Sequence, residues 1–190
     1  MKGFHLYLLS VVLINFLLGC ATLSKNECLE ADWFEIGRKD GMTGEPRSLF
    51  QKHVDACLKH GISPNRYEYF AGRDVGLSIY CTENIGFEQG KRGKRYQYVC
   101  PPDLEPAFLI GFNQGKEIYK YESEVASLER QLKRIEEQIE DKKKKLHSSK
   151  LSDEKRATIR SEIKSLEIEY RGVVRELTSL AKTKPVYYPN

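Results

Sequence analysis

Residues 69–76 read Tyr-Phe-Ala-Gly-Arg-Asp-Val-Gly, and the spacing of their aromatic and glycine residues recurs in two other parts of the chain. The pattern is an aromatic residue, a glycine three positions later and a second glycine four positions after that. Spacings of three and four place these positions on one face of an α-helix. The three copies are Phe34, Gly37 and Gly41; Tyr69, Gly72 and Gly76; and Phe108, Gly111 and Gly115.

The repeated glycines predict helices that cross at close range. A glycine inside a helix costs about 1 kcal/mol relative to alanine, so its repetition requires a compensating interaction. In the favoured interpretation, glycine lets two backbones touch and the aromatic side chain fills the gap beside the contact. The alternative is a binding cleft floored by bare backbone. A looser copy is formed by Phe87, Gly90 and Gly93.

Capping signals predict an all-α fold in which residues 28–116 form a small helical domain. A polar N-cap residue, a proline in the first turn and a terminal glycine are the usual boundary signals of a helix. The predicted helices run from Asp32 to Gly41, from Pro46 to Gly61, from Ser63 toward Cys81 and from Asp103 onward. Residues 82–102 are rich in glycine and basic residues. They are predicted to be mostly loop, with one helical turn at 83–90 and an extended segment at 96–99.

Two apolar stripes follow, over residues 118–146 and 152–180, with alternating spacings of three and four that are typical of a coiled coil. A break in phase separates them, and Ser152 is a new N-cap. Equal arms predict an antiparallel helical hairpin over residues 117–182, about 43 Å long at 1.5 Å per residue. The alternative is one continuous helix that forms a parallel dimer. Residues 183–190 are predicted to be a flexible tail.

The N-terminus predicts a lipid anchor. An apolar run of about 15 residues, which is shorter than a membrane span, ends at Leu17-Leu18-Gly19-Cys20 and reads as a lipobox. Residues 1–19 are then a signal peptide, Cys20 carries the covalent lipid, and residues 20–27 are a tether. Ala21 directs the protein to the inner leaflet of the outer membrane if the source is Gram-negative. The alternative is an uncleaved membrane span.

Four further cysteines remain for the exported domain: Cys28, Cys57, Cys81 and Cys100. An even number in an oxidising compartment predicts two disulfides. Structural zinc is disfavoured because the chain contains no close cysteine pair. Of the three possible connectivities, we favour Cys28 with Cys57 and Cys81 with Cys100, since chain neighbours are expected to be close in a small helical domain.

The charge distribution argues against a nucleic-acid-binding protein. Residues 20–116 carry 13 Lys/Arg and 13 Asp/Glu, whereas residues 117–190 carry 17 and 14. A protein that binds nucleic acid usually concentrates basic residues on one face. Two local clusters are basic. The first, Lys142, Lys143, Lys144 and Lys145 with Lys150, Lys155 and Arg156, gives residues 142–156 a net charge of +5.

The second basic cluster contains Lys91, Arg92, Lys94 and Arg95, beside Tyr96 and Tyr98. Aromatic rings next to cations suit a sugar-binding loop. For the cluster at residues 142–156, the functional interpretation is contact with an anionic envelope component or an acidic protein. The plain alternative for both clusters is a solvated surface.

No catalytic motif is present. His53 and His60 are seven residues apart and lack the spacing of a zinc protease, and no G-x-S-x-G occurs. Asp40, Asp74, Arg38 and Arg73 lie beside the glycines, where ion pairs on the helix surface are more common than a cleft. We therefore predict a non-enzymatic protein without metal or cofactor, apart from the lipid at Cys20.

The chain also resembles a proteobacterial lipoprotein family catalogued as a domain of unknown function, number 2799. The resemblance covers about residues 28–121 and consists of the four cysteines and the residues around the paired glycines. Its matching positions are Cys28, 31–41, 56–57, 69–77, 80–81, Gly90, Gly93, Tyr96, 100–101 and Phe108. The resemblance implies a Gram-negative envelope lipoprotein with a helical C-terminal extension and implies no activity.

The sequence therefore predicts an outer-membrane lipoprotein that projects a helical hairpin toward an envelope protein or an anionic envelope component. We expect no nucleic-acid partner. A monomer is favoured, and a coiled-coil dimer stays open. The alternative function is a module that binds a glycan or a peptidoglycan fragment.

Overall fold

A computed structural model describes residues 23–148 and 150–186 of the chain. These ranges are helical and contain no β-strand, which confirms the predicted all-α class. The helices are α1 (Lys25–Leu29), α2 (Trp33–Met42), α3 (Leu49–Leu58), α4 (Arg66–Tyr80), α5 (Glu83–Lys91), α6 (Glu105–Leu146) and α7 (Asp153–Ala181). The lipobox and Cys20 lie outside the described residues.

The described residues divide into two compact units. The first contains the chain up to Cys81 together with Gln97–Leu104, and the second contains Thr82–Tyr96 together with the chain from Glu105 onward. Helices α1 to α4 therefore belong to the first unit, and α5 to α7 to the second.

In the first unit, α2 and α4 pack closely along their lengths, and α3 lies between them in sequence. Helices α2 and α4 run in the same direction, because Gly37 lies against Tyr69 and Gly41 against Arg73. The chain must therefore cross back between them, and α3 is part of this crossover. The aromatic core lies around Tyr69, which is fully buried, with its ring centroid 4.7 Å from that of Phe50. Trp33 and the disulfide cysteines Cys28 and Cys57 complete this core.

Local side chains fix the starts of α2 and α4. The Asp32 carboxylate accepts a hydrogen bond from the Glu35 amide at 3.0 Å, as the predicted cap requires. Helix α4 begins later than predicted, because the Asn65 side chain, and not Ser63, accepts from the amides of Tyr67 and Glu68. Helix α3 is shorter than predicted and ends at Leu58.

The second unit corrects the prediction for residues 82–102. Residues Glu83–Lys91 form the complete helix α5, whose N-cap is Thr82, where one turn within a loop was predicted. This helix packs along the first part of α6. The predicted extended segment at 96–99 does not form, and Tyr98 has a φ of 54°.

The C-terminal segment forms the predicted hairpin. Helix α6 continues for 42 residues from Glu105 to Leu146, and Ser152 caps α7 at the predicted position. The Lys142 ammonium pairs with Glu162, and the Tyr170 hydroxyl donates to Glu136 at 3.0 Å. From Lys142 back to Glu136 in α6, the partner in α7 changes from Glu162 forward to Tyr170. The two helices therefore run antiparallel.

The hairpin buries its apolar stripes within one chain. Leu128, Ile135 and Val173 form its core. The half-buried residues around them are Leu132, Ile139, Leu166, Tyr170, Leu177 and Leu180. This arrangement is the predicted hairpin, and not the alternative of one continuous helix.

Two disulfides close the first unit with the predicted connectivity. Cys28 pairs with Cys57 and Cys81 pairs with Cys100, with Cα separations of 5.5 and 5.7 Å. Helix α1, which Ser24 and Glu27 cap reciprocally, brings Cys28 to its partner and occupies part of the predicted tether. Among residues 23–148 and 150–186, no helix combines the length and the apolar character needed to cross a membrane.

Candidate functional site

The paired glycines of the first unit form a reciprocal helix crossing. Gly37 of α2 faces the carbonyl of Tyr69, and Gly72 of α4 faces the carbonyl of Phe34. A Cβ on Gly37 would lie 2.8 Å from the carbonyl carbon of Tyr69, and one on Gly72 would lie 2.7 Å from that of Phe34. Neither position has room for a methyl group.

The second pair repeats this contact one turn later. Gly41 faces the carbonyl of Arg73, and Gly76 faces the carbonyl of Arg38. A Cβ on either glycine would lie 2.9 Å from the Cα of the other. Backbones at this distance allow Cα–H···O contacts, and the opposing helix fills the space that a ligand would need. The glycine face is therefore a packing surface and not the floor of a cleft.

The second unit contains a crossing in the same register. Gly86 faces the carbonyl of Phe108, and Gly111 faces the carbonyl of Glu83. One turn later, Gly90 meets the carbonyl of Phe112 and Gly115 meets that of Phe87. The predicted looser copy named Gly93, but its φ of 66° and the overlying ring of Tyr119 place it in a turn. Gly86 is the crossing residue that the aromatic pattern missed.

The aromatic positions do not all act as predicted. Tyr69 and Phe108 are fully buried, whereas Phe34 is 37% exposed. Phe34 contributes its carbonyl oxygen to the crossing, because this is the atom that faces Gly72. Trp33 is the buried aromatic residue of α2. The expectation that an aromatic side chain fills each gap therefore fails at Phe34.

A buried polar network connects three helices of the first unit through one carboxylate. The Tyr69 hydroxyl donates to Asp40 Oδ2 at 2.7 Å, and His53 Nε2 lies 2.9 Å from the same oxygen. Burial raises the pKa of Tyr69, and the hydrogen bond to Asp40 raises it further. The network keeps Tyr69 protonated and joins α2, α3 and α4.

Arg73 lies next to this network and is 4% exposed. Its guanidinium donates to the carbonyl of Glu45 at 2.7 Å, while its Nε has no hydrogen-bond partner among the described residues. Burial lowers the pKa of Arg73. Arg38 forms the predicted kind of surface ion pair, with Glu35 at 2.7 Å, but Arg73 is an interior residue.

An open cavity of about 480 Å³ lies beside the network in the first unit. Its carboxylates are largely engaged already: Glu27 and Asp32 cap helices, Glu35 pairs with Arg38, and Asp40 binds Tyr69. Within the described ranges, no group of three or more potential ligands is arranged to hold a metal ion. We assign no ligand to this cavity.

The basic cluster at residues 91–95 is exposed, and Arg92 lies 3.6 Å from Glu88. Tyr96, predicted to flank a sugar site, is instead 8% exposed and donates its hydroxyl to Glu105 at 2.9 Å. Its ring packs 4.9 Å from that of Phe108. Tyr96 is therefore a core residue of the second unit and is not available as a stacking surface.

The basic tip, residues 142–156, closes the hairpin. Arg156 donates to the carbonyls of Leu146 and Ser148 at 2.6 and 2.7 Å, so its role is to hold the turn. Lys142 pairs with Glu162, and Lys144 lies 3.8 Å from Glu140. In the described part of the chain, four exposed lysines of the tip have no ion pair: Lys143, Lys145, Lys150 and Lys155.

A family model described as "Protein of unknown function (DUF2799)" matches residues 32–117. The match begins at the cap of α2 and ends in α6 just beyond Gly115, so it contains both glycine crossings. No curated protein and no solved structure matches the chain significantly.

Proposed function

We propose that residues 32–117, which match the DUF2799 family model, are part of an outer-membrane lipoprotein whose hairpin binds an acidic component of the Gram-negative envelope. The family supplies no activity, so the proposal relies on the chain itself. It combines the lipobox at 17–20 with an interaction arm that ends in a basic tip.

The observation that carries this proposal is the continuity of α6. One unbroken helix of 42 residues starts in the glycine crossing and ends at the basic tip. The crossing fixes the start of the helix by direct backbone contact. At the far end, four exposed lysines that have no ion pair within residues 23–148 and 150–186 provide positive charge for an anionic surface.

The alternative function, binding of a glycan or peptidoglycan fragment, has less support. The opposing helix covers the glycine face, and Tyr96 is buried in the core of the second unit. The tip lysines, in contrast, are exposed. We therefore place the functional contact at the hairpin.

The lipid anchor is tested by Cys20→Ser in the full chain. We expect loss of fatty-acid labelling and retention of residues 1–19, because the thiol is the acylation site and the signal peptide is cut only after acylation. Ala21→Ser is the matched control and should stay labelled and membrane-bound. If the unsubstituted chain carries no label and keeps residues 1–19, the N-terminus is an uncleaved span and the lipoprotein proposal is wrong.

The tip contact is tested by in-cell photocrosslinking. A photoreactive residue at position 145 is expected to capture an envelope component, whereas the same residue at position 129, far from the tip, is not. Reversing Lys143, Lys145, Lys150 and Lys155 to Glu, with the photoreactive residue moved to position 147, should abolish capture, because like charges repel.

The control reverses four exposed basic residues toward the other end of the hairpin: Lys120, Arg175, Lys182 and Lys184. This variant changes the net charge equally and should still capture the partner through position 147. Capture that persists in the tip variant, or no capture above background from the unsubstituted tip, would refute an electrostatic contact at this site.

A further inference from the structure

The hairpin carries a second charged zone immediately next to its basic tip. This acidic belt comprises residues 135–141 of α6 and 163–170 of α7, which lie side by side because Lys142 pairs with Glu162. The belt contains six Asp/Glu and one Lys, a net charge of −5. The basic tip contains seven Lys/Arg and two Asp/Glu, a net charge of +5.

The belt and the tip are opposite in charge, and the groups of each that have no ion pair among the described residues are equal in number. Four carboxylates of the belt have no ion pair among the described residues: Glu137, Asp141, Glu167 and Glu169. Three of these are exposed, and Glu167 is half-buried. Over the same described residues, the tip likewise has four lysines without ion pairs. The described part of the hairpin therefore leaves each set without an ion pair of its own.

The belt also offers apolar surface. An open groove of about 310 Å³ runs between α6 and α7 and is lined by the apolar parts of Ile139 and Tyr170, by three carboxylates and by two cations: Glu136, Glu140, Glu167, Lys143 and Arg171. On the same stretch of α7, Ile168 is 54% exposed. A second helical element laid on the belt would cover these groups as well as its charges.

Helix geometry allows two hairpins to satisfy each other. At 1.5 Å per residue the belt is about 10 Å long, and its far edge at Ile135 lies about 20 Å from the turn. Two hairpins that approach head-on and overlap by about 20 Å place each tip on the belt of the other. The two copies are then related by a twofold axis, so the dimer contains two equivalent contacts between a tip and a belt.

We infer that the acidic partner of the basic tip is the acidic belt of a second copy of this chain. This inference rests on the proposed function and names the partner of the same tip. An unrelated acidic protein or a lipid surface would require only the tip. The opposite charge of equal size on the adjacent part of the hairpin favours a second copy, since it makes the surface complementary to itself.

The test is a charge swap in the full chain, extracted from membranes in nonionic detergent. One variant reverses the tip, with Lys143→Glu, Lys145→Glu, Lys150→Glu and Lys155→Glu. The other reverses the belt, with Glu137→Lys, Asp141→Lys, Glu167→Lys and Glu169→Lys. Sedimentation at about 50 mM and about 500 mM salt measures the association, and circular dichroism confirms that each variant is folded.

We expect the unsubstituted chain to dimerise at low salt and to dissociate at high salt. Each variant alone should be monomeric, with a dissociation constant raised at least about 10-fold, because its tip and belt then have the same sign. An equal mixture of the two variants should form a heterodimer, since each tip again meets a belt of opposite sign. The variant that reverses Lys120, Arg175, Lys182 and Lys184, which lie outside the overlap, should dimerise normally.

A chain that stays monomeric at about 100 µM in low salt, or folded variants that do not combine when mixed, would overturn the inference. Those outcomes leave the proposed function intact if position 145 still captures a different acidic protein, or anionic lipid, in cells. If position 145 captures nothing, the proposed function itself fails. The two failures are therefore distinguishable.

Discussion

Replacing Gly72 by alanine is expected to lower the free energy of unfolding by about 3 kcal/mol or more. The added methyl group would overlap the carbonyl of Phe34, because its carbon would lie 2.7 Å from the carbonyl carbon and 3.0 Å from the Cα of that residue. Both obstacles are backbone atoms of α2, so no side-chain rotation relieves the clash. The two helices must separate, and the contacts of Gly37, Gly41 and Gly76 then open as well. Gly72→Leu is expected to prevent folding of the first unit.

Gly172 provides the matched control for this substitution. It lies inside α7, and a Cβ built on it meets nothing within 4 Å. Gly172→Ala should therefore raise the free energy of unfolding by about 0.5–1 kcal/mol, because alanine restricts the unfolded chain and favours the helix. Urea unfolding followed by circular dichroism measures both variants. Equal effects of Gly72→Ala and Gly172→Ala would show that the α2–α4 contact is not as close as described.

The geometry of the crossings explains why the aromatic pattern found the crossing glycines of α2, α4 and α6 but missed Gly86 of α5. The atom that meets each glycine is the carbonyl oxygen of the residue three positions before the opposing glycine. A backbone carbonyl is present whatever the side chain, so an aromatic residue there is not required. Glu83 occupies this position in α5, and for that reason the aromatic pattern does not include Gly86. The same reasoning accounts for the exposed side chain of Phe34.

The hairpin was predictable because its signals are local. The apolar stripes, the equal arms and the Ser152 cap are all properties of neighbouring residues, and each is present in the structure. The start of α4 was misplaced for an equally local reason, since Ser63-Pro64 and Asn65 are competing caps and only the Asn65 side chain accepts the amides.

The Asp40 network was not predictable, because its members are joined only by the tertiary fold. His53 is 13 residues from Asp40 and Tyr69 is 29 residues away. No spacing rule connects positions on three different helices. Their convergence depends on the glycine crossing, which brings α4 against α2, and on the crossover helix α3, which brings His53 to the same place.

Asp40→Ala is expected to lower the free energy of unfolding by about 3 kcal/mol. The substitution leaves two buried groups, the Tyr69 hydroxyl and the His53 imidazole, without their shared acceptor, and each unpaired buried group costs about 1–3 kcal/mol. Asp74→Ala is the matched control: this exposed residue lies in α4 beside Arg73, and its replacement should change stability by less than about 0.5 kcal/mol. Similar effects of the two substitutions would contradict a structural role for the network.

Tyr69→Phe distinguishes the hydroxyl from the ring. This variant keeps the buried ring and the pair between Asp40 and His53, so we expect a smaller loss in the free energy of unfolding, about 1 kcal/mol at neutral pH.

The pKa of Tyr69 is raised by burial and by Asp40, whereas an unfolded tyrosine titrates near 10.0. The contribution of the neutral Tyr69 hydroxyl to the free energy of unfolding is therefore fully present below about pH 10. It decreases above that pH, by up to about 1.4 kcal/mol per pH unit. Between about pH 9 and pH 11, the unsubstituted chain should lose more stability than Tyr69→Phe, because the variant lacks this ionisation in its unfolded state. Parallel alkaline profiles for the two proteins would mean that Tyr69 is not protected from ionisation in the folded chain.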